Sequence, residues 1–405
     1  MTGIRKNLKE NDGLWFGLTI GLMIVEYGRP MDIMPVLNYV RPGMVLGILL
    51  AVSLLGGSRL TRSLVKQTGV ITAFVLLLFL YTPFAVNNRY AFNQAWSMTL
   101  YLPAVFSIVA YVRNVQRLRT FLNVWLLIGI YVALRGTLEK GSGGSSFLHD
   151  ENDFSLFMNM MIPFMVFRAY EVKGIGEKCL FLIGGAICVL GVVVSFSRGG
   201  FIGLLAVLFI IWLFSPRKVL SLGIVAMLTL VIIFSADQKY WQEMTTIEDI
   251  TESTSQERLN SWKAAWEMFK DNPLGVGGGN FPVRFPEYQP EDMPRGMWGR
   301  VAHSLWFTLI SELGIPGTII YFLLLFNNFR DIFWIKKFRK NGDEDMRLAY
   351  FLSLAFIGSF AGFFVSGIFL SILYYPHYFY LTAMIVVTRR LAAKKKEHVQ
   401  KECGI

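Results

Sequence analysis

The sequence predicts an all-α fold: a polytopic transmembrane bundle of about twelve helices, with one large outer-face loop containing an amphipathic helix. Three observations predict it. The 405-residue chain is 54% hydrophobic and only 17% charged, with mean hydropathy +0.48, whereas soluble domains carry roughly 25% charge. The apolar residues come in blocks of about 16–25, the length that spans a bilayer as a helix. Lys and Arg then concentrate in alternate connecting segments, as they do on the inner side of membrane proteins.

In chain order the blocks fall near 14–27, 42–57, 69–86, 96–112, 120–137, 154–169, 178–196, 199–215, 219–236, 303–326, 348–370 and 373–389. Residues 1–236 thus hold nine spans, 237–302 one long loop, 303–390 three more spans, and 391–405 a basic tail. The first block runs into Glu26, Tyr27 and Arg29 without a small-residue cleavage site, so it reads as a span and not as a removable leader. With the N-terminus placed inside, the seven inner segments hold 26 of the 39 basic residues. Seven of the remaining basic residues sit in the long loop, where the rule has little force. Both termini are then cytoplasmic. The net charge of +11 is a topology signal spread over seven segments. It is not a massed face for nucleic acid, and no nucleic-acid partner is expected.

The 237–302 segment holds 11 acids and 7 bases, an acidic stretch in a basic chain. Trp241, Trp262, Trp266, Phe269, Phe281, Phe285, Tyr288 and Trp298 give it the aromatic content of folded structure. Within it, Thr254 and Glu257 fit a capping box. Leu259, Trp262, Trp266 and Phe269 recur at helical spacing, and Asn272-Pro273 closes the pattern. The amphipathic helix over 255–271 lies on the membrane surface or packs over the bundle mouth; simple core packing is the alternative. Gly141-Ser142-Gly143-Gly144 and the run Gly275-Val276-Gly277-Gly278-Gly279 read as flexible turns, and the latter lacks the Lys-Ser/Thr of a P-loop. Lys394-Lys395-Lys396 reads as an anchor near acidic lipid heads. Asp343-Glu344-Asp345, among basic residues, reads as a solvated loop, and none of the three cysteines suggests a disulfide or metal cluster.

Three residues invite a chemical reading. Arg198, in Ser195-Phe196-Ser197-Arg198-Gly199-Gly200, sits at a tight outer turn between two apolar helices. An arginine at membrane depth suggests function, here a bidentate grip on phosphate; snorkelling to the headgroups is the alternative. Arg258 opens the amphipathic helix and reads either as a second grip on the same anion or as a solvated helix charge. His303 stands where the loop re-enters the membrane and suits a general base, or a structural interfacial hydrogen bond. His149 and His377 fall on the same side, so position alone does not choose among them.

Taken together, Ser195–Gly200, Arg258-Leu259-Asn260-Ser261-Trp262, Pro273–Gly277 with Asn280-Phe281, and His303-Ser304-Leu305 leading to Glu312-Leu313-Gly314-Ile315-Pro316-Gly317 resemble the shared core of the bacterial O-antigen ligase and polymerase family. Glu151-Asn152-Asp153-Phe154 resembles a further recurrent feature upstream. The resemblance implies an inner-membrane enzyme with a periplasmic site and a large periplasmic loop at 237–302. It implies transfer of a glycan from undecaprenyl diphosphate to a hydroxyl, with inversion and without metal, nucleotide or other cofactor. Acceptors in the family are the lipid A core, another lipid-linked polysaccharide unit, or a protein. The resemblance assigns diphosphate binding to Arg198 and Arg258, substrate binding also to Asn152 and Asn280, and the base to His303. Family ligases place their histidine deeper in the loop; here it stands at the helix entrance. A transporter of lipid-linked sugars and a non-catalytic export scaffold remain as other classes. Against the first, the membrane blocks hold few ionisable residues, Glu312 being the clearest.

Overall fold

A computed structural model describes residues 2–56, 59–139, 141–145, 148–215, 218, 223, 253–289, 299–340 and 343–402. The block expected at 219–236, apart from residue 223, lies outside these residues. So do 237–252 and 290–298, with Trp241 and Trp298. Among the described residues the chain is helical throughout. The principal elements are α1 (Thr2–Gly28), α2 (Pro42–Leu55), α3 (Lys66–Tyr81), α4 (Asn88–Tyr111), α5 (Val115–Leu138), α6 (Glu151–Glu171) and α7 (Ile175–Val194). They continue with α8 (Arg198–Phe214), α9 (Ser253–Asp271), α10 (Phe281–Tyr288), α11 (Leu305–Lys336), α12 (Glu344–Ser366) and α13 (His377–Glu402).

Among the described residues, six helical stretches can cross a membrane by length and composition: Leu37–Leu55, Lys66–Phe84, Val115–Leu138, Ile175–Val194, Leu305–Lys336 and Glu344–Phe369. The apolar α8, Arg198–Phe214, is shorter. Helices α1, α4, α6 and α13 match expected blocks but carry more polar residues. For α6 the reason is position: it is buried from Phe154 to Met165 and packs against α7, α8 and α12. A helix enclosed by its neighbours need not present an apolar surface to lipid. These apolar helices make the chain a multi-pass membrane protein. Helix α13 continues through the basic stretch to residue 402; Ala, Lys and Glu favour helix there.

One helix departs sharply from its expected form. The block at 303–326 is part of α11, which breaks at Gly314 (φ 58, ψ −155) just before Pro316. A break inside an apolar helix frees backbone groups that must be satisfied from elsewhere. The glycine-rich turn satisfies them. Val276 N–H donates to the Ser311 carbonyl at 3.0 Å, Gly277 N–H to that of Glu312 at 2.8 Å, and Ile315 N–H to that of Pro273 at 2.9 Å. The backbones approach so closely that a Cβ on Gly314 would lie 2.3 Å from the Leu274 carbonyl carbon. The Glu312 carboxylate secures the same joint, accepting from Gly279 N–H (2.8 Å), Phe281 N–H (3.1 Å) and the Tyr374 hydroxyl (2.6 Å). The run expected as a flexible turn is therefore the pinned partner of a broken helix, and Glu312 holds it.

The loop has its own small core. Ala264, Ala265 and Met268 of α9 bury with Val276, Phe281, Phe285 and Ala302. Trp262 ties this core to the bundle: its indole N–H donates to the Ala302 carbonyl at 3.1 Å, and its ring stacks on Phe307 at 5.3 Å. The amphipathic helix expected at 255–271 thus exists and packs over the start of α11.

Candidate active site

The outer turn between α7 and α8 is built to hold Arg198. Phe196 adopts left-handed backbone (φ 52), which reverses the chain. Ser197 then caps α8: its hydroxyl accepts from Gly200 N–H at 2.9 Å and donates to Asn152 Oδ1 at 2.7 Å. Asn152 in turn donates through Nδ2 to Asp150 Oδ1 at 2.8 Å, and Asp150 caps α6. The two glycines after Arg198 answer to packing. A Cβ on Gly200 would meet Ser155 Oγ at 2.2 Å, and the Gly200 carbonyl accepts from Asn159 Nδ2 at 2.7 Å. Arg198 is the first residue of α8, where the helix already presents its positive end.

Arg258 lies one turn before Trp262 on α9, so the Trp262 anchor places it over the bundle. Burial, then the positive charges of Arg198 and Arg300, hold its guanidinium below the usual arginine range, with Asp150 acting the other way. Arg300 is itself paired to Glu257 at 2.6 Å. His303 is half-buried in left-handed backbone (φ 46), between Ala302, which Trp262 holds, and Ser304, which starts α11. Such backbone is uncommon for a non-glycine residue and often marks a functional position. Burial pushes the imidazole down to about 4; Arg258 and Arg300 push the same way, and Asp150 and Glu257 oppose them. The imidazole is therefore neutral at pH 7. Among the described residues, neither the Arg258 guanidinium nor the His303 ring has a hydrogen-bond or ion-pair partner.

The structure thus brings Arg198, Arg258 and His303 into one electrostatic neighbourhood. Their segments are far apart in sequence. Asn152 stands behind Arg198 and positions its turn. Asn280 is elsewhere: it is fully buried, with its amide spent on the Asn87 N–H (2.8 Å), the Asn87 carbonyl (3.3 Å) and the Gly278 carbonyl (3.1 Å). It braces the glycine-rich turn. Sequence reasoning missed Arg300 and Asp150. Arg300 carries no pattern of its own, whereas Asp150 directly precedes the recognised Glu151-Asn152-Asp153 and could have been read with it. The structure also separates the histidines. His377 is buried with Nδ1 2.8 Å from the Tyr27 hydroxyl, and His149 is exposed beside Asp150.

Beside the cluster, between α9 and the start of α11, runs an apolar groove of about 620 Å³ lined chiefly by Leu259, Trp262, Trp266, Trp306, Phe307 and Phe322. No curated protein matches the chain. A family model described as O-antigen ligase matches residues 183–322. That stretch runs from α7 to the first half of α11 and contains Arg198, Arg258, Arg300, His303 and the glycine-rich joint. Over residues 183–322, about a third of its length, the chain is thus similar to the O-antigen ligase family.

Proposed function

We propose that this protein transfers a glycan from undecaprenyl diphosphate to an acceptor hydroxyl at the periplasmic face of the bacterial inner membrane, in a twelve-span topology with both ends cytoplasmic. The observation that carries the reading is the convergence of Arg198, Arg258 and Arg300 with a neutral His303. The guanidiniums hold the diphosphate, where charge develops as it leaves; fixed positive groups at that point stabilise the transition state more than the ground state. His303 accepts the proton of the acceptor hydroxyl. The acceptor oxygen bonds to the anomeric carbon from the face opposite the breaking C–O bond, and the diphosphate departs with that electron pair, so the anomeric centre inverts. The groove along α9 suits the isoprenoid chain, whose length is apolar while its head is dianionic.

The test is purified protein in vesicles with a lipid diphosphate-linked glycan and, separately, a lipid A core, a second lipid-linked unit, or a protein acceptor. Transfer to one of them is expected, and the product separates ligase from polymerase. Arg258→Ala should cut transfer by about two orders of magnitude, the scale of losing one transition-state donor. Movement of donor across the vesicle membrane without any glycosidic product would replace this reading with transport.

A pH profile checks the base. In the free protein His303 titrates near 4, so kcat/KM for the donor should stay level from neutral pH down to about 5 and fall by half near 4. Bound diphosphate offsets the arginine field and makes protonation easier. The acid limb of kcat should therefore lie at higher pH than that of kcat/KM. Coincident limbs near 6.5 would contradict the field described at His303.

A further inference from the structure

The other end of the bundle carries a second cationic site, unrelated to the transfer chemistry. Arg390 lies 13 residues along α13 from His377, about 20 Å at 1.5 Å per residue. There Arg62, Ala110, Arg113, Arg390 and Lys394 line a cavity of about 370 Å³. Three separate parts of the chain supply them: the short helix Arg59–Ser63, the junction of α4 with α5, and α13.

Four of the five described lining residues are cations, and their arrangement is built and not incidental. Arg390 Nη2 donates to the Val109 carbonyl at 2.6 Å and to that of Val112 at 3.1 Å, which fixes the guanidinium where α4 ends. Its Nε is buried without a hydrogen-bond partner. The charges of Arg113 and Arg62 both bear on it. The nearby carboxylate Asp12 is already shared between Arg113 and Arg59, and among the described residues no carboxylate lines the cavity. Like charges held around one space repel, and an anion placed between them adds an attraction to each cation that offsets the repulsion. Guanidiniums grip phosphate oxygens in bidentate fashion.

The surroundings indicate which phosphate. Leu60 and Leu64, two residues either side of Arg62 in the chain, are 36% and 55% exposed. They put exposed apolar side chains next to a lining cation in the chain, as a headgroup attached to acyl chains requires. Basic pockets between membrane helices are a recurring way of holding anionic headgroups. We infer that this cavity binds the phosphate headgroup of an anionic phospholipid, which joins α13 to the α4–α5 junction.

Thermal unfolding in zwitterionic detergent, titrated with phosphatidylglycerol, tests the inference. The double variant Arg62→Gln/Lys394→Gln changes two exposed side chains and leaves the Arg390 and Asp12 contacts in place. Wild-type protein should be stabilised saturably, and the variant's apparent Kd should weaken at least tenfold, by the affinity arithmetic for losing two charged contacts. Phosphatidylcholine should give no saturable shift. The inference fails if the variant responds as wild type does, if phosphatidylcholine works equally well, or if the wild type shows no shift. It also fails, in favour of a free-phosphate site, if inorganic phosphate alone gives the full shift.

Discussion

Replacing His303 with asparagine should lower kcat by about two to four orders of magnitude, the usual contribution of a positioned general base, while leaving the protein folded and inserted. Asparagine is the informative choice. His303 occupies left-handed backbone at φ 46, and asparagine tolerates that region far better than alanine or a branched residue. The backbone between Ala302 and Ser304 is thus kept, and only the proton acceptor is lost. Transfer rate and thermal unfolding, measured on the same preparation, separate the two effects. Wild-type transfer by His303→Asn would move the base elsewhere, and Asp150, whose charge acts on both His303 and Arg258, would be the next residue to test.

Gly314→Ala should be the most damaging single substitution to the fold. At φ 58 and ψ −155 the backbone suits only glycine. The added Cβ would also lie 2.3 Å from the Leu274 carbonyl carbon, 2.4 Å from the Pro273 oxygen and 2.5 Å from the Gly275 nitrogen. These are backbone atoms that cannot turn aside. Relief requires parting the glycine-rich turn from α11, which gives up the three backbone hydrogen bonds at the joint. Strain of about 1–3 kcal/mol adds to roughly 1 kcal/mol for each of the three hydrogen bonds lost, so a loss of about 4–6 kcal/mol is expected from a stability typically of about 5–15 kcal/mol. Unfolding temperature should drop accordingly, and transfer should fall with it. Gly174→Ala is the control, because a Cβ there meets nothing within 4 Å. Equal unfolding temperatures for the two variants would mean that the joint does not carry this strain.

The helices were legible because each apolar block states its own length, and the amphipathic helix of the loop because its aromatic spacing is local. Arg198, Arg258 and His303 were legible as a set only through the order of four motifs; no one of them announces a site. What stayed hidden was relational. The block at 303–326 is apolar throughout, and nothing in it shows that its break at Gly314 is satisfied by a turn some forty residues earlier. Asn280 lies in a recognised motif, but its role follows from Asn87, nearly two hundred residues away. Arg300 became part of the cluster only when the loop core brought it to Glu257 and His303. In each case the deciding partner is distant in sequence, where periodicity carries no information.

Arg258 stands on an element of the loop core, whereas Arg198 belongs to the bundle. Repulsion between them works against the docking of one core on the other, and the aromatic contacts of Trp262 with Phe307 and Phe369 hold them together. A dianionic headgroup changes the sign of that interaction. By thermodynamic linkage, whatever free energy the donor gains from both arginines at once must reappear as firmer closure of the loop on the bundle. Under the proposed function, departure of the carrier withdraws that reinforcement, and the repulsion between Arg258 and Arg198 again favours opening of the loop.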